Sequence, residues 1–224
     1  MLPRTQGALE YLDGPVPGAD REASLADVHR LNSWFGGYRL SEQAIERLIA
    51  AAPGGAPLCV VDIGGGRGDL ATRLVARARR RGRRLAVIVV DRNGTVRPRP
   101  GVAVVRADAA ALPFRPGAAD VVTASLLLHH LEPDAAIRSL AEMRAAARRG
   151  VVINDLLRSR ITLALVWVVT RLFTRHRFAR HDGPLSVRRA YSPDELRTLA
   201  ARAGLGRLTV RRYPWLGRIV AVAE

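Results

Sequence analysis

Along the chain, short and almost wholly apolar runs alternate with longer stretches in which apolar residues recur at helical spacing. The runs 58–63 (LCVVDI), 85–91 (LAVIVVD) and 119–124 (ADVVTA) lack the in–out alternation of a half-exposed strand. They read as strands buried on both faces of a parallel sheet. The full pattern predicts strand 58–63, helix 68–81, strand 85–91, strand 102–106, strand 119–124, helix 134–148 and strand 150–155. Alternation of this type implies a doubly wound α/β fold, a parallel sheet with helices on both faces. Ser192-Pro193-Asp194-Glu195 then opens another helix, with a serine cap and a proline in the first turn. Strands at 206–213 and 216–223 follow, separated only by Pro214-Trp215, and must be antiparallel neighbours. The expected sheet is seven-stranded and mostly parallel, with an antiparallel last strand.

Residues 1–20 are rich in proline and glycine and read as irregular. Ser24–Trp34 and Ser41–Ala52 read as helices, each opened by a serine cap and joined by Phe35-Gly36-Gly37-Tyr38. The expected division is an N-terminal helical cap at 1–55 and a main domain at 56–224, with an insertion at about 156–190. The first half of that insertion, 161–173 (ITLALVWVVTRLF), falls short of the roughly 20 apolar residues that span a bilayer. Three readings stay open for it: a buried core helix, a lid over an apolar ligand, or a membrane-surface helix flanked by Arg158, Arg160, Arg171 and Arg175. The polar stretch after it, from His176 through His181-Asp182-Gly183 to Ala190, has no clear period and reads as a loop.

The net charge of +16 raises the question of a nucleic-acid partner. All 36 basic residues are arginine and the sequence has no lysine, which points to compositional bias, since surfaces selected for phosphate generally mix the two. The runs at 77–84 and 144–149 fall at helix C-termini, where cations complement the macrodipole. Aromatic residues are only 5%, too few for base-stacking platforms. The single cysteine, Cys59, lies inside the first strand, so no intrachain disulfide is possible. With no apolar leader at the N-terminus, a reducing cytoplasm is the expectation.

The most specific segment is 58–70, LCVVDIGGGRGDL: a strand, an acid, four glycines, then a helix. Glycines at such a turn let the backbone bend sharply and approach a ligand closely, and N–H groups at the helix start face a negative group. A dinucleotide fingerprint requires a third glycine where this sequence has Asp69, a poor neighbour for pyrophosphate. Asp91, ending the second strand, is placed to accept from two ribose hydroxyls.

The run Asp62-x-Gly64-x-Gly66-x-Gly68 resembles motif I of class I S-adenosylmethionine-dependent methyltransferases. Residues 102–131, with Asp108, Leu112-Pro113-Phe114, Asp120 and Leu128-His129-His130-Leu131, resemble the ubiquinone/menaquinone-biosynthesis type of these small-molecule enzymes. The resemblance implies S-adenosyl-L-methionine as cofactor and S-adenosyl-L-homocysteine as product. The cofactor residues it implies are Asp62, Gly64, Gly65, Gly66, Asp91, Arg92, Asp108, Ala109 and Ser125. In that family Asp108 accepts from the adenine amino group, and the Ala109 N–H meets a ring nitrogen. It further implies that the N-terminal helices lie over the cofactor and substrate mouth, and that the sheet closes with an antiparallel hairpin strand. One departure is Ala119, where the family usually has phenylalanine.

Methyl transfer to a hydroxyl needs positioning and a base. The candidates are His129, His130 and His181, then His176, with Asp155 and Asp182 as orienting partners. His129 ranks first because Leu128-His129-His130-Leu131 resembles the Leu-His-Asp-Trp pattern of plant-type phenolic O-methyltransferases. The alternative reading is that the pair only packs and caps the next helix. No metal site is expected, since no Cys, Asp or Glu accompanies the histidines at ligand spacing. The expected substrate is small, largely apolar and phenolic or polyketide-like, in secondary metabolism. An RNA or protein methyltransferase using the arginine surface is the alternative, and a cofactor-binding module without activity is a third reading.

Overall fold

Seven strands form one sheet in the order β3-β2-β1-β4-β5-β7-β6. They are β1 (Leu58–Ile63), β2 (Leu85–Val90), β3 (Val102–Val105), β4 (Ala119–Ser125), β5 (Ala147–Leu156), β6 (Leu208–Tyr213) and β7 (Arg218–Ala223). Only β7 runs antiparallel to its neighbours, pairing with both β5 and β6. The expected doubly wound, mostly parallel sheet is therefore the observed one. The computed structural model describes residues 2–50, 52, 55–93, 96, 98–174 and 176–224, so Arg175 lies outside the described residues.

The helices are α1 (Gly18–Trp34), α2 (Gly37–Ala50), α3 (Asp69–Arg80), α4 (Pro133–Ala146), α5 (Arg160–Phe173), α6 (Arg177–Arg189) and α7 (Pro193–Arg202). One face of the sheet is covered by α4 and α7, burying Leu140, Met143, Leu196 and Leu199. The other is covered by α2 and α3, burying Ile45, Leu48, Leu70 and Leu74. Each such side chain contributes roughly 1.5–3 kcal/mol when fully removed from water. Of the expected 1–55 cap, then, α2 packs against β4, β5 and β7 as part of the sheet layer. Only α1 and the residues before it lie over the strand ends.

Several local expectations give way. Ser24 and Ser41 are not helix caps: both are buried within helices. The Ser41 hydroxyl faces inward and accepts from the Asn154 amide at 2.8 Å. A buried donor on β5 outweighs the local capping preference there. The chain after Asp108 forms a turn, closed by Ala111 N–H to the Asp108 carbonyl at 3.1 Å. The Asp108 carboxylate accepts from the Ala110 N–H at 2.8 Å, the side-chain turn that competes with helix formation.

The polar stretch read as a loop is α6, with Pro184 inside it. Gly183 looked like a helix breaker, yet a Cβ there would sit 2.9 Å from Thr170 and 3.0 Å from Val166, so the glycine permits close packing on α5. The buried face of α6 carries Asp182 and Arg189 beside Phe178 and Val187, and those charges hide its period. The core reading of 161–173 fails as well. Ile161, Trp167, Val168, Leu172 and Phe173 on α5 are exposed. Among the described residues no helix is long and apolar enough to cross a membrane.

Candidate active site

The sheet changes direction of growth at β1, which pairs with β2 on one side and β4 on the other. In open α/β sheets ligands collect beyond the carboxyl ends of the strands at such a point. A cavity of about 520 Å³ lies there. Its floor is the β1–α3 turn, its roof is α1 and α5, and one end is closed by residues 9–13 and α6.

At the floor, Gly64 takes φ +66°, and a side chain on it would strike Leu127. A Cβ on Gly65 would come within 2.7 Å of both the Asp62 carboxylate and Val89, so the loop lies directly on the sheet. Asp62 is fully buried, and neither carboxylate oxygen has a hydrogen-bond partner among the described residues. Burial, aided by the Asp91 charge, pushes its pKa up to about 7. Asp91 accepts from the Gly66 N–H at 3.1 Å and the Asn93 N–H at 2.8 Å. Arg92, Asp108, Ala109 and Ser125 line the same cavity. The structure thus brings together every residue expected around a cofactor.

At the other end, β4 runs into Leu126, the single non-glycine residue with positive φ among the described ones. That strained step, supported by the Leu126 N–H to Asn154 carbonyl bond, turns the chain into the 3₁₀ turn Leu128–His130. His129 is buried, with Nδ1 2.6 Å from the Asp155 carboxylate, and its backbone N–H also donates to Asp155 at 3.1 Å. Asp155 lies below the usual carboxylate range: burial would raise it, but the His129 charge and the bonds from His129 and Leu156 outweigh that. His130 mirrors the arrangement, with Nδ1 2.7 Å from Asp13. Desolvation would raise Asp13, and bonds from His130 and Arg189 override it and hold the carboxyl low.

Glu10 faces both rings. Its carboxylate oxygens lie 3.8 Å from His129 Nε2 and 3.9 Å from His130 Nε2. It is buried, one oxygen has no hydrogen-bond partner among the described residues, and burial pushes its pKa up to about 7 against the pull of His130. Residues 4–13 are strapped down by Arg4 on the Arg189 and Leu131 carbonyls and by Arg189 on Asp13 at 2.6 Å. Tyr11 N–H donates to Asp182 at 3.0 Å. Sequence reasoning read this strap as irregular chain and missed Glu10 and Asp13, which no local motif marks.

The other two histidines stand apart. His181 does not line the cavity: its ring is half-exposed, lies tilted against Tyr11 and pairs with Asp182 at 2.8 Å. His176 caps α6 through the Phe178 N–H. The remaining walls are mainly apolar, including Leu25, Phe35 and Leu127, with Leu165, Val166 and Val169 from the inner face of α5, interrupted by polar groups such as Asn32, Tyr38 and Arg218. The arginine runs have structural partners. Arg77 and Arg81 pair with Glu46 on α2, and Arg83 donates to the Ile49 and Ala52 carbonyls. Asp120, next to the divergent Ala119, accepts from the Cys59 N–H and from Arg148 and Arg149, tying β4 to its neighbours.

A comparison with curated proteins finds no match. Among solved structures, the chain is similar to a protein from Nostoc punctiforme PCC 73102 described as an O-methyltransferase: 16% identity, TM-score 0.63, covering 98% of this chain and 64% of that one. It is also similar to an O-methyltransferase family 2 protein from Planctomyces limnophilus DSM 3776 in complex with apigenin, at 18% identity and TM-score 0.58, covering 98% and 63%. Human N-acetylserotonin methyltransferase in complex with SAM matches at 13% identity and TM-score 0.62, covering 97% and 63%. The chain thus spans less than two thirds of each of those proteins. The methyltransferase domain family matches residues 37–209, starting at the first residue of α2 and taking in well over half of the chain. The chain belongs to that family, with the class I fold whose cofactor is S-adenosylmethionine.

Proposed function

We propose that this protein transfers a methyl group from S-adenosylmethionine to a small, largely apolar molecule carrying an ionisable hydroxyl, phenolic or polyketide-like, as in secondary metabolism. The observation that carries the reading is the single cavity running from the glycine loop, Asp91 and Asp108 to His129 and Glu10 between apolar walls. The cofactor fits the residues present. Asp62 and Asp91 offer buried or half-buried carboxylate acceptors, Gly64 and Gly65 leave no room for side chains, and Asp108–Ala109 offers one acceptor and one N–H. When bound there, S-adenosylmethionine supplies a sulfonium methyl, an electrophile open to in-line attack.

The chain's own residues do the rest. His129, oriented by Asp155, takes the proton of the substrate hydroxyl at Nε2, and Asp155 stabilises the imidazolium that forms. Glu10, beside the same nitrogen, adds negative charge that favours the protonated ring. Leu165, Val166 and Val169 cover the substrate and keep water away from the nucleophile, which makes α5 a lid. His130, held by Asp13, positions the strap. The lone thiol of Cys59 suits a reducing cytoplasmic setting.

A product-mass screen with labelled methyl donor over phenols, quinones and polyketides tests the reading. Labelled product from one of these classes, with turnover insensitive to salt, is the expected result. Turnover of RNA or protein that collapses with salt, or tight NAD binding with no response to S-adenosylhomocysteine, overturns it.

A further inference from the structure

His129 and His130 share an arrangement that base catalysis does not require. Each commits Nδ1 to a carboxylate, Asp155 at 2.6 Å and Asp13 at 2.7 Å. Both carboxylates already accept from other donors: Asp155 from two backbone N–H groups, Asp13 from Arg189 and the Glu10 N–H. They therefore act as acceptors with each Nδ1 as donor, which leaves Nε2 as the atom each imidazole can offer to a ligand. Both Nε2 atoms look onto the same third group, the Glu10 carboxylate, at 3.8 and 3.9 Å.

One ligand atom from each of the three residues lies within 4.8 Å of the others. Ligand atoms about 2.0–2.2 Å from a shared divalent ion lie roughly 3–3.5 Å apart, so closing the set takes a shift of about an ångström. Glu10 Oε1 is buried, aimed into this space and without a hydrogen-bond partner among the described residues. The nearest cation, Arg189, is 3.9 Å from Glu10, with Nη1 donating to Asp13 and Nη2 to the His130 carbonyl. The cluster gathers Glu10, Asp13 and Asp155 beside Arg189, with Arg218 in electrostatic reach of Asp155, in a chain whose net charge is +16. Imidazoles backed by carboxylates are the common outer shell of metal-bound histidines.

We propose that Glu10, His129 and His130 form a site for a first-row divalent cation of the imidazole–carboxylate class, at the substrate end of the cavity. Three ligands leave coordination positions open towards the apolar walls, where an oxygen of the substrate can bind. The hydroxyl then loses its proton to solvent and is held as its anion by the cation. The lone pair of His129 that takes the proton in the cation-free enzyme is a ligand in the loaded one. The inference rests on the proposed hydroxyl substrate only for what the cation does, not for whether it binds.

The test is titration of the full chain with Zn²⁺ and, separately, Co²⁺, without cofactor or substrate. One equivalent per chain is expected, with visible Co²⁺ absorption bands and two imidazoles in zinc-edge X-ray absorption. E10Q and H130N should each weaken binding at least 10-fold, D13N by a smaller factor, and H181A not at all. Circular dichroism checks the fold of each variant, and if E10Q fails to fold, the two-imidazole signature of the wild type decides. Absence of stoichiometric binding, a spectrum without imidazole, or affinity unchanged in both E10Q and H130N overturns the site. Because no methyl transfer is measured, this result is independent of the substrate screen. Adding Zn²⁺ to that screen shows whether the loaded form is the faster one.

Discussion

At the cofactor end of the cavity the side chains come from strand ends and the turns directly after them: Asp62 to Gly68, Asp91, and Asp108–Ala109. At the substrate end, Glu10, Asp13, His129, His130, Asp155 and Arg189 are held by hydrogen bonds that span up to 176 residues. The first end is rigid, lying on a sheet buried on both faces. The second is held together by charged hydrogen bonds between a strap, a 3₁₀ turn and a helix. Cofactor binding is thus built into the sheet and the turns that leave it. In the proposed function, chemistry and selectivity fall to a part assembled from outside it.

The largest effect that sharpens this contrast is expected at His129. His129→Ala should lower kcat by at least 10²-fold, the scale of general-base help, and leave S-adenosylhomocysteine affinity nearly unchanged by calorimetry. Retention of more than about a third of the wild-type kcat would separate this end from the chemistry altogether. Asp91→Ala should do the reverse. It should weaken cofactor binding by about 1.5–3 kcal/mol, the scale of hydrogen bonds to a charged acceptor, with little change in melting temperature.

Asp62 probes the floor through stability. Its folded pKa of about 7 lies above the ordinary aspartate value of about 3.9. The ionised form is therefore less favourable folded than unfolded, and the stability present below about pH 4 is lost as pH rises to about 7. Asp62→Asn without ligand should be progressively more stable than wild type over that window, by about 1–3 kcal/mol at pH 8. A difference in melting temperature that does not grow with pH would show that the carboxyl is solvated. The smallest effects concern the lid. Val166→Ala and Val169→Ala should raise KM several-fold. Exposed Trp167→Ala should change KM little and stability by about 0.5 kcal/mol or less. Equal effects on KM from both faces of α5 would break the lid assignment.

The same contrast explains what could be read in the sequence. Strand runs such as 58–63 and 119–124 are buried on both faces, so burial writes itself as nearly continuous apolar residues. The glycine loop is local, and its spacing alone separates it from a dinucleotide fingerprint. Ser41, Gly183 and Glu10 defeat local reading for one shared reason. Their roles are set by Asn154, by Thr170 and Val166, and by His129 and His130, which are remote in sequence. The proposed cation site would escape a search by spacing for the same reason, since its carboxylate lies some 120 residues before the imidazoles. Residues 161–173 misled by being apolar all round, although α5 has only one face on the cavity.

The strap also bears on how the molecule assembles. Residues 4–13 leave the ribosome well before His130, Asp182 and Arg189 exist to receive them. Contacts of such long range form late, because ordering the intervening chain must come first. The sheet and the cofactor loop can therefore mature while the substrate end is still open, and docking of the strap becomes the step that turns a folded chain into an active one. Hydrogen exchange during refolding should show the amides of β1 and β4 protected before those of Tyr11 and Leu12.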